Sequence, residues 1–460
     1  MESQNTTAAA QPGFPSSFWT ANGTELFERA AYYAMASFVV LYLGQLGFGA
    51  YWPSFLNSSV LWFLVYFLPI LSGSLADQYG FKKSLLVAFV LLAIAYFLMG
   101  YPVWFGGAKL APTLSAEVTV GWRTALPIIA GVVMIGLGGS IVKPCIAGTV
   151  QKTAGARKTL GFGIFYMIIN VGSLVGRGVA FYFRRRFDLS AIFAVSMAAA
   201  IVAFFVVLVV YKDPDAEMGM TERKPPRPLG DIVAGMFKVL ANGRFAMFLV
   251  VSSGFYFIYN QVYNLLPLYV KRTVELTPAM DIYTMANPFV IVCFQMLITT
   301  TFGKLPPIKS IVVGTVIIGL SMLINLAPVL SAGGVSIPVA NLLPIGSLFI
   351  VLTVALIAFG ELFASSRLYE YIGSLAPKGQ EGLFLGYANI PMAVGSLIGG
   401  PAGAYLFNAV MCRGAQKLPN GLLRLDPHAA STGWVILAAI GLCSAASMFA
   451  YNRWIQRQEA

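Results

Sequence analysis

A short run of charged and phenolic side chains interrupts the first long apolar segment of the chain. Glu25, Glu28, Arg29, Tyr32 and Tyr33 follow one another at helical spacing, so in a helix they share one stripe, with Glu25 one turn before Arg29. A charge at mid-bilayer costs about 2.5 to 3.5 kcal/mol on insertion scales, so the stripe is expected to face a polar cavity. The alternative is a structural ion-pair knot that locks two helices together.

Composition places the chain among polytopic α-helical membrane proteins. Of its 460 residues, 58% are hydrophobic and 10% are charged, and its mean hydropathy is +0.77. The apolar runs are long enough for helices that cross a bilayer core of about 30 Å. Four scattered cysteines and one histidine indicate neither a disulfide framework nor a metal site. The net charge of +12 is interpreted as loop topology rather than nucleic-acid binding.

The hydropathy pattern predicts twelve transmembrane helices in two sets of six, with no removable signal peptide. The first six are expected near 18–46, 54–77, 82–107, 121–150, 158–183 and 187–211. The other six are expected near 244–270, 280–303, 308–330, 340–374, 382–411 and 429–455. The expected domains are an N-terminal six-helix bundle at 1–211, a cytoplasmic linker at 212–243 and a C-terminal six-helix bundle at 244–460.

The linker and the basic residues suggest an orientation. Closely spaced prolines and charges at 213–228 exclude a spanning helix, whereas 231–240 has the apolar spacing of a helix on the membrane surface. More Lys and Arg lie in the connections on the side of the termini, so we expect both termini in the cytoplasm. The triplet Arg184 to Arg186 contradicts this rule, and the intramembrane Arg177 has no evident partner.

The turn after the second predicted helix contains Gly73, Asp77, Gly80 and Lys82. It resembles the loop signature of the major facilitator superfamily, a glycine-rich cytoplasmic turn with an acid and basic residues. Asp77 is expected to cap the next helix or to pair across the interface of the halves, and Gly80 to permit the tight reversal. The predicted fold is therefore an all-α membrane protein with the major facilitator fold, in which two parallel repeats enclose a midplane site.

Four ordered motifs narrow the resemblance. The stripe from Glu25 to Tyr33 resembles the hallmark of the proton-dependent oligopeptide transporter family, which includes plant nitrate and peptide transporters. Residues 136–145, with Lys143 followed by Pro144, resemble the fourth helix of that family. Residues 165–174 resemble its fifth-helix signature, and 361–365 resemble the start of its tenth helix.

The resemblance implies a proton-coupled carrier without a bound cofactor. Lys143 and Glu361 lie in helices that occupy equivalent places in the two repeats, so they are expected to face each other across the cavity. A bridge between them that forms in one conformation only would couple a proton or a bound anion to the side that is open. The alternative is a permanent buried pair.

The candidate residues fall into three groups. Proton coupling is expected of Glu25, Glu28, Arg29 and Glu361. Substrate binding is expected of Tyr32, Tyr33, Lys143, Asn170, Asn260, Gln261, Glu361 and Ser365, although Asn170 also fits helix packing. Gly73, Asp77, Gly80 and Lys82 form the gating loop.

Several positions depart from the family pattern. Peptide-transporting members usually have an arginine, taken to hold the peptide carboxylate, where this chain has Ala36, and an acid where it has Asn260. In the tenth helix the usual proline and glycine are Ser366 and Leu368, which puts the expected kink in doubt. No histidine lies in any predicted span, so recognition through histidine does not carry over.

These residues leave three functions open and disfavour a fourth. The leading interpretation is a proton-coupled symporter that imports di- or tripeptides or related small polar solutes at the cell membrane, functional as a monomer. The second is a nitrate or organic-anion transporter of the same family, with Lys143 as the anion contact. The third is a substrate sensor that no longer transports. An enzyme is disfavoured, because no metal cluster, activated nucleophile or phosphate loop is apparent.

Overall fold

Long apolar runs of this chain form helices, because only a helix satisfies the backbone of such a segment internally within a membrane. The computed structural model describes residues 13–219, 228–331, 334–339, 342–375 and 387–459. Within these residues ten helices are long and apolar enough to cross a membrane, and the count is twelve when each of two bent pairs is one span. The predicted twelve-helix architecture is confirmed.

The spans are numbered in chain order. The first half contains Ser16–Ala36 with Val39–Gln45 (first span), Trp52–Ser54, Phe55–Trp62, Phe63–Phe67 and Pro69–Tyr79 (second), Phe81–Trp104 (third), Trp122–Thr153 (fourth), Lys158–Arg186 (fifth) and Ala191–Val209 (sixth). The second half contains Gly243–Asn260, Gln261–Tyr263, Leu265–Tyr269 and Val270–Val274 (seventh), Met280–Phe302 (eighth), Pro307–Ser321, Met322–Asn325 and Leu326–Leu330 (ninth), Ile345–Ser374 (tenth), Tyr387–Asn389, Ile390–Tyr405 and Leu406–Met411 (eleventh) and Pro427–Glu459 (twelfth).

Short elements connect the spans. The helical ones are Gly155–Arg157, Pro214–Glu217 and the predicted surface helix, Leu229–Leu240. Two antiparallel hairpins, Pro338–Val339 with Leu343–Pro344 and Gln416–Lys417 with Leu423–Arg424, were not predicted. The first hairpin occupies the expected start of the tenth helix at 340, because Pro344 delays the helix to Ile345.

The first two spans are bent, whereas the sequence analysis predicted each as one continuous helix. The second bends by 41° before Pro69, whose ring removes a backbone donor. The first bends by 45° at Ser37 and Phe38, where the Ser37 hydroxyl meets the Thr284 hydroxyl at 2.8 Å. The tenth span, in contrast, is continuous, in agreement with its missing proline.

Helices pack mainly within each half. The first span packs against the fifth and sixth, the third against the fourth and sixth, and the second against the fourth. In the second half, the seventh packs against the eleventh and twelfth, and the tenth against the eighth and ninth. The halves meet where the fifth span contacts the eighth and the second contacts the eleventh. The domain boundaries at 211 and 243 stay a prediction.

The helix bundle has two ends, which are called here the terminal face and the opposite face. The terminal face carries the start of the first span and the end of the twelfth. There Glu217 accepts from the backbone N–H of Ser17 at 3.0 Å, and the Tyr451 hydroxyl donates to the Arg244 carbonyl at 3.2 Å. The opposite face carries both hairpins. The predicted start of the eleventh helix at 382 and the charged linker stretch 222–227 lie outside the described residues.

Candidate functional site

The charged stripe of the first span is buried as one cluster. Arg29 Nε lies 3.3 Å from a carboxylate oxygen of Glu25, which is the expected pairing one turn apart, and it also bonds to Glu28. Glu25 and Glu28 are 0% and 2% exposed. Two carboxylates therefore share one guanidinium, and neither oxygen of Glu25 receives a hydrogen bond within the described part of the chain. This arrangement leaves one carboxylate poorly compensated.

Small residues of the fifth span bring its backbone against this cluster. A Cβ added to Gly172 would lie 2.8 Å from Arg29 Cβ, and one added to Gly176 would lie 2.3 Å from the Ala30 carbonyl oxygen. Larger side chains would push the two helices apart. These two glycines therefore permit the close approach of the first and fifth spans.

The two tyrosines of the stripe differ in their surroundings. Tyr32 is buried, and its hydroxyl lacks a hydrogen-bond partner among the residues described. Tyr33 is half-buried between two cations, with Arg29 Cζ 6.0 Å and Arg177 Cζ 4.5 Å from its ring centroid. Cation–π attraction at both positions ties Tyr33 to the first and fifth spans. Asn170 donates to the Tyr166 carbonyl of its own helix at 2.9 Å, which matches its packing alternative.

Lys143 is half-buried in the fourth span. Its Nζ lies 5.8 Å from the ring centroid of Tyr66. The next residue, Pro144, packs against Gly73 of the second span, where an added Cβ would lie 3.3 Å away. Lys143 thus lies on a helix that also packs against the first span.

Glu361 lies in the tenth span, half-buried, and accepts a hydrogen bond of 3.0 Å from Asn287 Nδ2 of the eighth span. Ser365 follows one turn later and is also half-buried. No ion pair within 4 Å joins Lys143 to Glu361 in this conformation of the described residues. Their bridge stays a prediction for another conformation.

The amides of the seventh span lie in a closed seam between the halves. The Asn260 side-chain oxygen accepts from the Ser58 hydroxyl of the second span at 2.7 Å, across the two halves. Within the second half, Gln261 Nε2 donates to the Gly399 carbonyl of the eleventh span at 3.0 Å. Asn57 Nδ2 donates to the Asn264 side-chain oxygen at 3.3 Å. At this level the seventh span passes from its first helix into the 3-10 turn Gln261–Tyr263. Asn260 and Gln261 are nearly inaccessible here, so a solute reaches them only after the seam opens.

Two arginines of the fifth span extend this seam. Arg177 is fully buried and donates from Nε to the Thr284 hydroxyl at 3.0 Å, from Nη2 to the Tyr263 hydroxyl at 3.0 Å, and to Ser173 of its own helix. Two turns later, Arg184 Nε forms an ion pair with buried Asp281 at 3.1 Å. Neither partner was evident from the sequence. The contacts explain why Arg184 lies on the side that the charge rule disfavours.

A cavity of about 740 Å³ separates the halves toward the terminal face. Gly163 of the fifth span lines one side. The other side includes Gln295 and Thr299 of the eighth span and Ser366 and Glu370 of the tenth. The halves are therefore joined toward the opposite face and parted toward the terminal face.

The loop signature has a different acid from the one expected. Gly80 has φ +91°, which glycine adopts without strain and which the tight reversal requires. Asp77 is exposed and makes no ion pair within the described residues, and the Asp213 carboxylate, from the linker, accepts from the Lys82 backbone N–H at 3.4 Å instead. The expectation that Asp77 caps the third span is wrong, because Asp213 approaches that helix end.

A sequence profile described as the Major Facilitator Superfamily matches residues 26–339, more than half of the chain. This chain belongs to the major facilitator superfamily. Its seam, its cavity and its buried charges are accordingly features of a membrane transporter rather than of an enzyme.

Three curated relatives are similar to this chain. It is 28% identical over 227 residues to human solute carrier family 15 member 2, covering 47% of this chain and 28% of that protein. It is 28% identical over 200 residues to dipeptide and tripeptide permease B of Shigella dysenteriae, covering 42% of this chain and 36% of that protein. It is 24% identical over 381 residues to multidrug resistance protein MdtH of Aeromonas hydrophila, covering 82% and 80%. The chain thus spans well under half the length of the first two relatives.

Solved structures establish the fold. A peptide transporter POT in complex with sulfate is similar with a TM-score of 0.73 at 18% identity, covering 97% of both chains. A POT family transporter in complex with 5-aminolevulinic acid has a TM-score of 0.73 at 18% identity, covering 97% of this chain and 98% of that one. The predicted major facilitator fold and the predicted resemblance to oligopeptide transporters are confirmed.

Proposed function

We propose that this protein is a proton-coupled symporter that imports di- or tripeptides or related small polar solutes by alternating access. The observation that carries the proposal is the asymmetry of the interface between the halves. Hydrogen bonds join them toward the opposite face, whereas a cavity of about 740 Å³ parts them toward the terminal face. If one repeat rocked against the other, the halves would close at the terminal face and open at the opposite face. The midplane would then be accessible from each side in turn.

The first-span cluster is the proposed proton site. Arg29 Nε bonds to Glu28, whereas the Glu25 oxygens receive no hydrogen bond within the described residues. A proton on one of the two carboxylates would remove the surplus negative charge and leave a single Glu–Arg pair. Lys143 would respond to that change of charge, because the fourth span packs against the first.

Glu361 is proposed to link the proton to conformation. It is held by the neutral Asn287 while the terminal side is parted. Closure of that side would bring the fourth and tenth spans together and offer Lys143 as an ionic partner. A bridge that exists in one state only shifts the equilibrium between states, and protonation of Glu361 would remove it.

The solute is proposed to contact the tyrosine pair, Lys143 and Ser365 from the terminal-side cavity, and Asn260 and Gln261 once the seam opens. Nitrate or an organic anion is the second candidate. Ala36 favours it, because this buried residue stands one turn beyond the tyrosines in place of an arginine. Lys143 also favours it, because this residue forms no ion pair within the described residues. We further propose that the monomer is functional, in the cell membrane, with the terminal face in the cytoplasm.

Uptake into proteoliposomes tests the proposal. Labelled di- and tripeptides and labelled nitrate are offered with and without an inward proton gradient. Peptide accumulation that requires the gradient supports the symporter, and nitrate accumulation in its place supports the second candidate. Because one relative is a multidrug resistance protein, export of a preloaded dye is measured in the same vesicles. Binding without flux of any solute would identify a sensor and overturn the proposal.

A further inference from the structure

Three basic residues line one small pocket at the opposite face. Lys271 and Arg272 come from the end of the seventh span, and Lys417 comes from the hairpin that precedes the twelfth. The pocket has a volume of about 140 Å³, and Thr113 and Leu114 complete its wall from the first half of the chain. It therefore lies on the line where the two halves meet.

These three cations lack an ionic partner within the described residues. None of them forms an ion pair within 4 Å in the described residues. Arg272 Nη1 donates to the Asn408 side-chain oxygen at 2.7 Å, and Lys271 Nζ donates to the Leu276 carbonyl. The nearby Glu275 is engaged elsewhere, by the Tyr283 hydroxyl at 2.7 Å and the Ser347 hydroxyl at 2.5 Å.

The burial of Lys271 distinguishes this pocket from a group of charges on the protein surface. Its side chain is 6% exposed although it lines the pocket, so its ammonium is largely withdrawn from water next to two further positive charges. Burial of a charge is costly unless an opposite charge accompanies it. The hydrogen bond to one carbonyl leaves two of the three ammonium donors of Lys271 available.

We propose that this pocket binds a small oxyanion. At about 30 Å³ per water, its volume corresponds to only a few water molecules, so it accommodates a compact anion rather than a peptide. Phosphate and sulfate have the required charge and several acceptor oxygens, and so does the phosphate group of a lipid. The site is separate from the first-span cluster and does not depend on which solute is carried.

The bound anion would favour the closed state of the opposite face. A Cβ added to Gly421 would lie 3.6 Å from Thr113 Cγ2, and Asn408, which holds Arg272, donates to the Ala50 carbonyl of the first half at 3.3 Å. Separation of the halves at this face would move Thr113 and Leu114 away from the cations and dismantle the pocket. An anion that binds only the assembled pocket shifts the population toward closure.

Direct binding of labelled sulfate and of labelled phosphate to the purified full-length chain tests the proposal, at constant ionic strength set with chloride. We expect K417Q and R272Q to weaken binding roughly tenfold or more, the usual consequence of losing a charged hydrogen-bond donor. Lys417 is exposed, so K417Q is not expected to disturb folding. The matched controls are K109Q and R413Q, which remove exposed charges from the same face outside the pocket lining.

A second arm separates a free anion from a lipid phosphate. The thermal unfolding midpoint is compared in phosphatidylcholine nanodiscs with and without phosphatidylglycerol. One outcome would assign the same pocket to a lipid headgroup. In that outcome phosphatidylglycerol raises the unfolding midpoint of the parent but not of K417Q or R272Q, and neither sulfate nor phosphate binds in detergent. The proposal is overturned if neither anion source binds, or if the pocket variants bind as strongly as the parent and the controls.

Discussion

Arg177 donates a hydrogen bond of 3.0 Å from Nη2 to the hydroxyl of Tyr263 and thereby ties the fifth span to the seventh across the two halves. The same guanidinium reaches Thr284 of the eighth span and lies over the ring of Tyr33 in the first. One fully buried side chain thus joins four helices at the closed seam. The hydrogen-bond acceptors of Arg177 are neutral. Replacing them by water when the seam opens therefore costs less free energy than separating Arg177 from a carboxylate would.

Removal of the Tyr263 hydroxyl should weaken this closure. In Tyr263→Phe an Arg177 donor loses its acceptor, which costs the closed state about 1 to 3 kcal/mol. Spin labels at Lys109 and Arg413, in a chain whose native cysteines are replaced by serine, should show longer distances across the opposite face. Tyr182→Phe is the control, because Tyr182 is exposed on the fifth span. Identical distance distributions in parent and Tyr263→Phe would show that Arg177 does not hold the seam.

The Arg184–Asp281 ion pair makes a separate prediction. Asp281 is fully buried, so Asp281→Asn leaves Arg184 without its anionic partner and is expected to destabilise the closed form by about 3 kcal/mol or more. A lower thermal unfolding midpoint and reduced solute uptake are the measurements. Arg185→Gln removes an exposed charge on the same helix and should change neither. Equal effects of the two substitutions would make the ion pair incidental.

Gly400 of the eleventh span should tolerate no side chain. An added Cβ would lie 2.2 Å from Ser58 Cβ and 2.5 Å from the Ser54 carbonyl oxygen, so Gly400→Ala must push the second and eleventh spans apart. We expect an open seam, seen as faster labelling of a cysteine at Ser59 by an impermeant thiol reagent. Gly178→Ala, which meets nothing within 4 Å, is the control. Parent-like labelling of Gly400→Ala would indicate that the seam adjusts without opening.

Substitution of the first-span carboxylates should abolish proton coupling and leave solute exchange intact. Glu28→Gln and Glu25→Gln each remove the capacity to carry a proton while keeping the side-chain volume, so gradient-driven accumulation should be lost and counterflow should continue. Glu117→Gln is the control, because Glu117 is exposed in a connection. Loss of accumulation and counterflow together, with a lower yield of folded protein, would instead support the structural ion-pair knot.

Lys143 and Glu361 are predicted to contribute to solute accumulation only through the conformation in which they form an ion pair. Lys143→Ala and Glu361→Gln are each expected to impair accumulation, and the double variant should be no worse than either single one if they act as a pair. Lys83→Ala, an exposed charge of the loop signature region, serves as the control. Additive losses in the double variant would show that the two residues act independently.

Local patterns in the sequence were sufficient to predict helix number, fold and the buried stripe of the first span. The stripe was accessible because Glu25 and Arg29 belong to one helix, where spacing determines which side chains meet. The glycines near Arg29 were likewise recognisable, since closely spaced glycines favour helix approach in membranes.

The seam was not predictable in the same way. The partners of Arg177 lie about 90 to 110 residues away, at Tyr263 and Thr284, and helical periodicity does not determine which distant helix a residue faces. Helical spacing puts Asn170, Ser173 and Arg177 on one face of the fifth span, but it does not identify the helices that this face contacts. The bend before Pro69 was signalled by the proline itself, whereas the bend at Ser37 depends on the contact with Thr284.

Proton entry driven by solute is the most direct test of the symporter. Vesicles that contain a pH-sensitive dye and the purified protein are given an unlabelled dipeptide outside, with the membrane potential negative inside. We predict immediate internal acidification in the parent protein, and none in Glu28→Gln or in vesicles without protein. Dipeptide uptake without acidification in the parent would contradict proton coupling, and the absence of both, in protein that binds the dipeptide, would contradict transport itself.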